Sequence, residues 1–334
     1  MRALLCESWR EFDQLEIRDI PPPPLRPGTV RIRVAAAGIS FATQLVVAGK
    51  YQRRPPLPFV PGTEAAGTVL ESAPDVLNPL PPGTRVFAVA DWGALAEEVV
   101  VDAIHVVRVP DGLPLEAAVA MPISYPTAGA ALLWRAKLQP GQWLLVQGAA
   151  GGVGLAALEI GKALGARVIA RAGATKHAML LARGADAVLD SAHPFKEEVR
   201  RLTNNRGVDV VLDVLGGSAF DEGLRCLADG GTLLTLGYAA GGIPQLGVNL
   251  LLLKNIAVAG VNWGAYVGWS PGVDRHAHAP QCQALWSQLT SWWAAGKLRP
   301  EVHAAYPLHQ FREAMAEVRE RRAVGRVVVR PGAT

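Results

Sequence analysis

Seven residues, Gly148-Ala149-Ala150-Gly151-Gly152-Val153-Gly154, could bring nearly bare backbone up to an anion. With so few side chains, their amide N–H groups can approach a ligand closely. The spacing approximates G-x-G-x-x-G, with Ala149 replacing the first glycine and Gly151 and Gly154 in the other two places. In that pattern the middle glycine admits a pyrophosphate and the last lets the next helix pack closely. Such a string carries weight only between a strand and a helix. Here "WLLVQ" (Trp143–Gln147) reads as the strand, an apolar helical pattern follows the turn, and "RVIAR" (Arg167–Arg171) reads as the next strand. The expected site is a dinucleotide pyrophosphate held at a helix N-terminus by Ala150, Gly151, Gly152, Val153 and Gly154.

The second strand decides which dinucleotide is expected. An acid at its end would hold the ribose hydroxyls of NAD. This strand ends Ala170-Arg171-Ala172-Gly173, without an acid, and Lys176 follows. A 2′-phosphate needs positive charge there. Arg171 and Lys176 are therefore expected at the 2′-phosphate, and NADPH is the expected cofactor.

The surrounding elements supply the frame. Residues 1 to about 120 read as β-rich, with short apolar or alternating runs such as "TVRIRVAAAG" and "GTRVFAVA" between Pro and Gly breaks. Pro21 to Pro24 read as a stiff surface connector. From about 125 to 262 strands alternate with helices, and several strands ("WLLVQ", "DVVLDV") are continuous apolar runs. Such strands are covered on both faces, which predicts a doubly wound parallel sheet. The remainder carries two helical patterns and ends in "GRVVVRP", whose strand is expected to pair with the N-terminal β-rich part. Trp286, Trp292 and Trp293 lie on one of these helices and read as packing residues.

Composition narrows the class. The 334 residues are half apolar and 19% charged, which suits an ordinary globular fold with room for two domains. A net charge of +4, with scattered basic residues, argues against a nucleic-acid partner. Cys6, Cys226 and Cys282 are too few and too far apart for a disulfide framework. The N-terminus lacks a signal-peptide pattern, and the most apolar run, "LGVNLLLLKNIAVAGVNW", is broken by Asn249, Lys254 and Asn255. The expectation is a cytoplasmic protein with no membrane partner.

On the stretch "PTAGAALLWRAKLQPGQWLLVQGAAGGVG" the chain resembles the medium-chain dehydrogenase/reductase superfamily. More narrowly it resembles the zinc-independent quinone oxidoreductases, the zeta-crystallin-like branch. "GISFATQLVVAGKYQRRPPLPFVPGTEAAGTV", "NLLLLKNIAVAGVNWGAY" and "YPLHQFREAMAEVRERRAVGRVVVRP" extend the likeness over nearly the whole chain. The resemblance implies an α/β protein with a GroES-like β-rich catalytic domain at 1–122, a Rossmann-type domain at 123–262, and a segment at 263–334 that completes the catalytic domain. It also implies an active site in the cleft between the domains. A homodimer is implied through the sheet edge near Ile256 to Val261.

The resemblance further assigns residues. Tyr51 matches a recurrent tyrosine at the substrate. Ser40, where an Asn is common, is placed with Tyr51 at the substrate as a catalytic hydrogen-bonding group of shorter reach, and Thr43 stands where Asp is common. Thr127 matches the threonine near the nicotinamide, with Tyr125 as its neighbour. The segment "LGYAAGG", with Leu236, Gly237 and Tyr238, matches the loop against the nicotinamide. Ser191 occupies a place where some members carry a tyrosine near the adenosine. Trp263 and Tyr266 are placed either at the substrate pocket or in ordinary packing.

Zinc-dependent relatives need Cys or His ligands. Here "GISFATQ" lacks Cys, "PGTEAAG" has Thr63 where a His would sit, and residues 80 to 105 lack the structural cysteines. No metal site is expected, and "RHAHAPQC" (His276, His278, Cys282) reads as an ordinary surface loop. Without a metal to polarise a ketone, a quinone or enone is the more receptive acceptor, because charge spreads over its conjugated system. The expected activity is NADPH:quinone reduction. Reduction of an enone or enoyl thioester is the alternative, with Arg53 and Arg54 as candidate contacts for a CoA ester. A cofactor-loaded, crystallin-like structural protein is the non-enzymatic one.

Overall fold

The computed structural model describes residues 1–332. The chain divides into two units, and each is built around its own sheet. The first comprises Met1–Ile123, Gly264–Thr290 and the chain from Pro300 onward; the second comprises Ser124–Trp263 and Ser291–Arg299.

In the first unit β1 (Arg2–Leu5) and β2 (Glu16–Asp19) form an antiparallel pair. The main sheet contains β3 (Thr29–Ile39), β4 (Glu64–Ser72), β5 (Arg85–Val89), β6 (Glu98–Asp102) and β7 (Val106–Arg108). The late strands β14 (Val302–Pro307) and β15 (Arg326–Arg330) join it, in the order β14-β15-β3-β4-β5-β7, and β6 also pairs with β3. Val327 to Val329 lie antiparallel to Ala37 to Ile39, so the final strand does join the N-terminal sheet. Early in β3, Val30, Ile32 and Val34 are buried, the period of two expected of a strand with one face on a core. That core includes Leu95, Val99, Phe311 and Val329.

The second unit holds β8 (Trp143–Gln147), β9 (Arg167–Ala172), β10 (Ala187–Asp190), β11 (Val208–Asp213), β12 (Leu227–Thr235) and β13 (Ala257–Gly260). The order is β10-β9-β8-β11-β12-β13, and every pairing is parallel. Counted from β8 this is 3-2-1-4-5-6, the doubly wound order. Every residue of β11 is buried, as its continuous apolar run requires. The order reverses between β8 and β11, so the crevice for a ligand lies at their carboxyl ends.

One expectation shifts. Ser291–Arg299 packs with the nucleotide sheet rather than with the β-rich unit. The Arg299 amide donates to Glu159 Oε2 at 2.9 Å, and the Arg183 guanidinium donates to the Arg299 carbonyl, which ties this strap down. The long apolar run splits into a short helix, Asn249–Lys254, and β13. Among the described residues no helix is long and apolar enough to cross a membrane.

Candidate nucleotide and substrate sites

The phosphate turn joins β8 to the helix Gly152–Ala163, with Gly151 as its N-cap. Gly148 takes φ +66°, so it performs the tight turn that the sequence pattern assigned to the position of Ala149. A Cβ on Gly148 would also stand 2.8 Å from Val214 Cγ2. The first glycine of the pattern is therefore present, one residue early. Gly154 is needed for packing, because a Cβ there would stand 2.7 Å from Ala149 Cα.

Gly151 is different. Its φ of −76° suits any residue, and the nearest atom to an added Cβ is the Gly148 carbonyl oxygen at 3.5 Å. Neither backbone strain nor internal packing requires glycine at this position. Its bareness leaves room at the mouth of a twelve-residue helix, where free N–H groups and the helix dipole favour an anion. The residues present thus fit a dinucleotide pyrophosphate.

Two neighbouring loops complete this edge of the sheet. Asp213 ends β11, is fully buried, and accepts from the Leu215 amide at 2.8 Å and the Gly216 amide at 3.1 Å. Burial raises its pKa, and the two amides and Arg171 oppose that shift. The loop it shapes is stitched to the loop after β12: the amides of Leu236, Ala239 and Ala240 donate to the carbonyls of Asp213, Val214 and Leu215. Leu236, Gly237 and Tyr238 therefore sit beside the crevice, and Tyr238 keeps 40% of its surface exposed. Gly216, at φ +70°, leaves the space that Tyr238 fills; a Cβ there would stand 2.9 Å from the Tyr238 ring. Asp213 was not singled out from sequence, although "DVLGG" after a strand is a readable turn signal.

The structure departs from expectation at Arg171. Its side chain is only 8% exposed and crosses to the next strand. Its Nη2 donates to the Ser191 carbonyl at 2.8 Å, and its guanidinium lies 4.4 Å from the Phe195 ring centre. Alternate residues of a strand face opposite layers, and Arg171 faces the layer containing Phe195. Its charge is engaged inside the fold. Lys176 instead lies in the single turn Ala174–Lys176 beyond the carboxyl end of β9, half-buried, and burial lowers its pKa. Ser191 Oγ lies 4.0 Å from a Cβ added to Gly173, so it too borders this turn.

Thr127 is the one residue of the helix Ser124–Gly129 that is not buried. Tyr125 is 2% exposed, and its hydroxyl donates to Glu159 Oε2 at 2.7 Å. Tyr125 therefore packs inside the unit and is not a surface neighbour of Thr127. Trp263 is buried beside Trp134, with ring centres 6.3 Å apart.

In the first unit Ser40 is the N-cap of the helix Phe41–Val47. Thr43 Oγ1 accepts from the Ser40 amide at 3.2 Å and lies 3.1 Å from Ser40 Oγ. The two departures from the family pattern thus form one reciprocal cap, and Ser40 has a local structural duty. Tyr51 is partly buried on the loop that follows. Burial raises the pKa of its phenol, while Gln52 and Arg53 oppose the shift. Tyr266 stacks edge-on against His278, with ring centres 5.2 Å apart. Cys282 is buried, which pushes its thiol up to about 12 and keeps it protonated. Among the described residues no three His, Cys, Asp or Glu side chains are grouped to hold a metal.

Comparison with known proteins agrees with this architecture. Residues 26–111 match the alcohol dehydrogenase GroES-like domain, and residues 152–277 match the zinc-binding dehydrogenase family. The chain is 36% identical over 331 residues to rat quinone oxidoreductase-like protein 2, covering 98% of this chain and 91% of the relative. Among solved structures, a mycobacterial protein complexed with NADPH aligns with a TM-score of 0.91 at 29% identity, over 99% of this chain and 100% of that one. Escherichia coli quinone oxidoreductase complexed with NADPH aligns with a TM-score of 0.88 at 25% identity, over 99% and 100%. Fold, phosphate turn and relatives together define a dinucleotide-dependent oxidoreductase. The chain belongs to the medium-chain dehydrogenase/reductase superfamily, in its quinone oxidoreductase branch.

Proposed function

We propose that the protein is an NADPH-dependent, metal-free reductase of quinones. Gly151 carries the nucleotide part of this reading, since its missing side chain serves no internal purpose and clears a helix N-terminus. NADPH, the ligand of two structural neighbours, is the cofactor. The Ala150 to Gly154 amides bind its pyrophosphate, and Lys176 faces its 2′-phosphate. Thr127 and the Leu236–Tyr238 loop border the nicotinamide end. The bound nicotinamide supplies a hydride.

The remaining work falls to Tyr51 and its neighbours. Tyr51 donates a hydrogen bond to the oxygen on which charge develops. Its raised pKa keeps the phenol protonated, and so able to donate, at neutral pH. Ser40 holds the helix that precedes the Tyr51 loop. The metal-free reading rests on residue types: Thr63 stands where a zinc ligand would be needed.

A second copy is the proposed partner. β13 is the edge strand of its sheet, and Val248, Leu252 and Leu253 beside it are more than 70% exposed. Pairing two such edges would satisfy strand groups and cover this apolar surface.

A panel of a small quinone, an enone and an enoyl-CoA, each with NADPH, tests the acceptor class. The highest kcat/KM is expected with the quinone. A preference of tenfold or more for the enoyl-CoA would replace this reading with the thioester one.

A further inference from the structure

The loop carrying Tyr51 has little backbone structure of its own. No helix or strand occurs from Tyr51 to Pro58, and prolines at 55, 56 and 58 remove three backbone donors. A side chain anchors it instead. Arg53 Nη2 lies 3.0 Å from Asp91 Oδ1, and its Nη1 donates to the Asp91 carbonyl at 3.1 Å. The guanidinium lies over two indoles, 5.0 Å from the Trp92 centre and 5.1 Å from that of Trp269.

Asp91 is the hub of this arrangement. It also accepts from Trp269 Nε1 at 3.0 Å and from Arg275 Nη2 at 2.9 Å. Arg275 pairs in turn with Asp102. Gly268, at φ +76°, turns the chain so that Arg275 can fold back, since a Cβ there would stand 2.3 Å from Arg275 Cβ. The partners come from separate parts of the sequence and are each about a quarter exposed. In such a half-buried setting charge-assisted hydrogen bonds and cation–π contacts are stronger than at an open surface.

We propose that the Asp91-centred cage around Arg53 positions Tyr51 and sets acceptor specificity. It rests on the role of Tyr51 proposed above. By fixing Arg53, the cage holds the backbone two residues after Tyr51, and with it the placement of the phenol for its acceptor. It also removes Arg53 from use as a receptor for an anionic substrate, which leaves the site suited to neutral conjugated acceptors and poorly suited to a phosphate-bearing thioester. Arg53, Asp91 and Arg275 are positioning residues.

The test uses Asp91→Asn, Arg53→Met, Arg53→Lys, Trp269→Phe and Tyr51→Phe in the full chain. Hydrogen exchange of peptides covering residues 50–58 reads loop order without reference to activity. Asp91→Asn and Arg53→Met are expected to speed that exchange and lower quinone kcat/KM on the order of ten- to a hundredfold. The NADPH KM stays within about twofold, because Lys176 and the phosphate turn lie on other elements. Arg53→Lys and Trp269→Phe, the milder changes, give intermediate values and keep the test usable should the first two fail to fold. Unchanged exchange in all four cage variants overturns the proposal. So does faster exchange with unaltered quinone kcat/KM. If Tyr51→Phe alone proves harmless, the role of Tyr51 fails and this proposal with it. If only the cage variants prove harmless, the role of Tyr51 stands.

Discussion

A Cβ on Gly154 would stand 2.2 Å from the carbonyl oxygen of Gly148. The obstacle is backbone, so the helix would have to move away from its strand. Gly154→Ala should therefore lose about 1–3 kcal/mol of stability together with NADPH affinity. Gly151→Ala should leave the melting temperature unchanged, since nothing lies closer than 3.5 Å, yet weaken NADPH at least tenfold. Thermal melts beside NADPH fluorescence titrations check the contrast. Equal NADPH affinity in Gly151→Ala and the parent would remove the pyrophosphate from this turn.

Lys176→Met should raise the KM for NADPH roughly tenfold or more and leave NADH unaffected, the loss of one charge-assisted contact. Arg171→Met should act differently. It removes donors to the Ser191 and His193 carbonyls inside the fold, so it should lower the melting temperature and change the NADPH/NADH ratio little. Steady-state kinetics with both cofactors separates the two residues.

Tyr51→Phe should lower kcat with quinone by about two orders of magnitude, the usual cost of one oxyanion donor. Because burial raises its pKa above 10, the phenol loses its proton only at still higher pH. The contribution of Tyr51 to kcat should therefore be constant across neutral pH. A pH–rate profile of parent and variant checks this.

His105 makes stability depend on pH. It is 2% exposed, and burial lowers its pKa from 6.5 to about 4, with Asp91 opposing and His276 adding to the shift. The folded form resists a proton that the unfolded chain accepts. Its stabilisation is complete above pH 6.5 and is lost as pH falls toward 4, about 3 kcal/mol at 1.36 kcal/mol per unit. Melts between pH 7 and 4 should show this slope, and it should flatten in His105→Gln.

Leu252→Asp with Leu253→Asp should shift the protein to a monomer in sedimentation or light scattering, because both side chains lie exposed near the β13 edge. An unchanged mass would contradict pairing through that edge.

The sequence reveals elements whose cause is local. The strand–turn–helix around Gly151 was legible because glycines mark bare backbone, and the buried strands because their apolar runs are continuous. The assignment of the first turn glycine missed by one residue, since a positive φ at Gly148 leaves no mark that distinguishes it from its neighbours. Arg171 misled for a related reason. A cation near a strand end shows its charge in sequence but not the face it takes, and one residue of register decides between the crevice and Phe195. Ser40 and Thr43 looked like two separate departures, and only their 3.1 Å contact shows them as a single cap. The Asp91 hub was invisible, because its partners are 38, 178 and 184 residues away.

The proposed function turns on metal-free hydride transfer from NADPH to a quinone. The most direct measurement mixes chelator-treated protein with a small quinone and either NADPH or NADH, and follows loss of the nicotinamide absorbance. Rapid oxidation of NADPH, at least tenfold slower oxidation of NADH, and no gain on adding zinc are predicted. Activity restored only by zinc would contradict the metal-free reading; equal rates with NADH would contradict the Lys176 site; no oxidation of either cofactor would contradict quinone reduction itself.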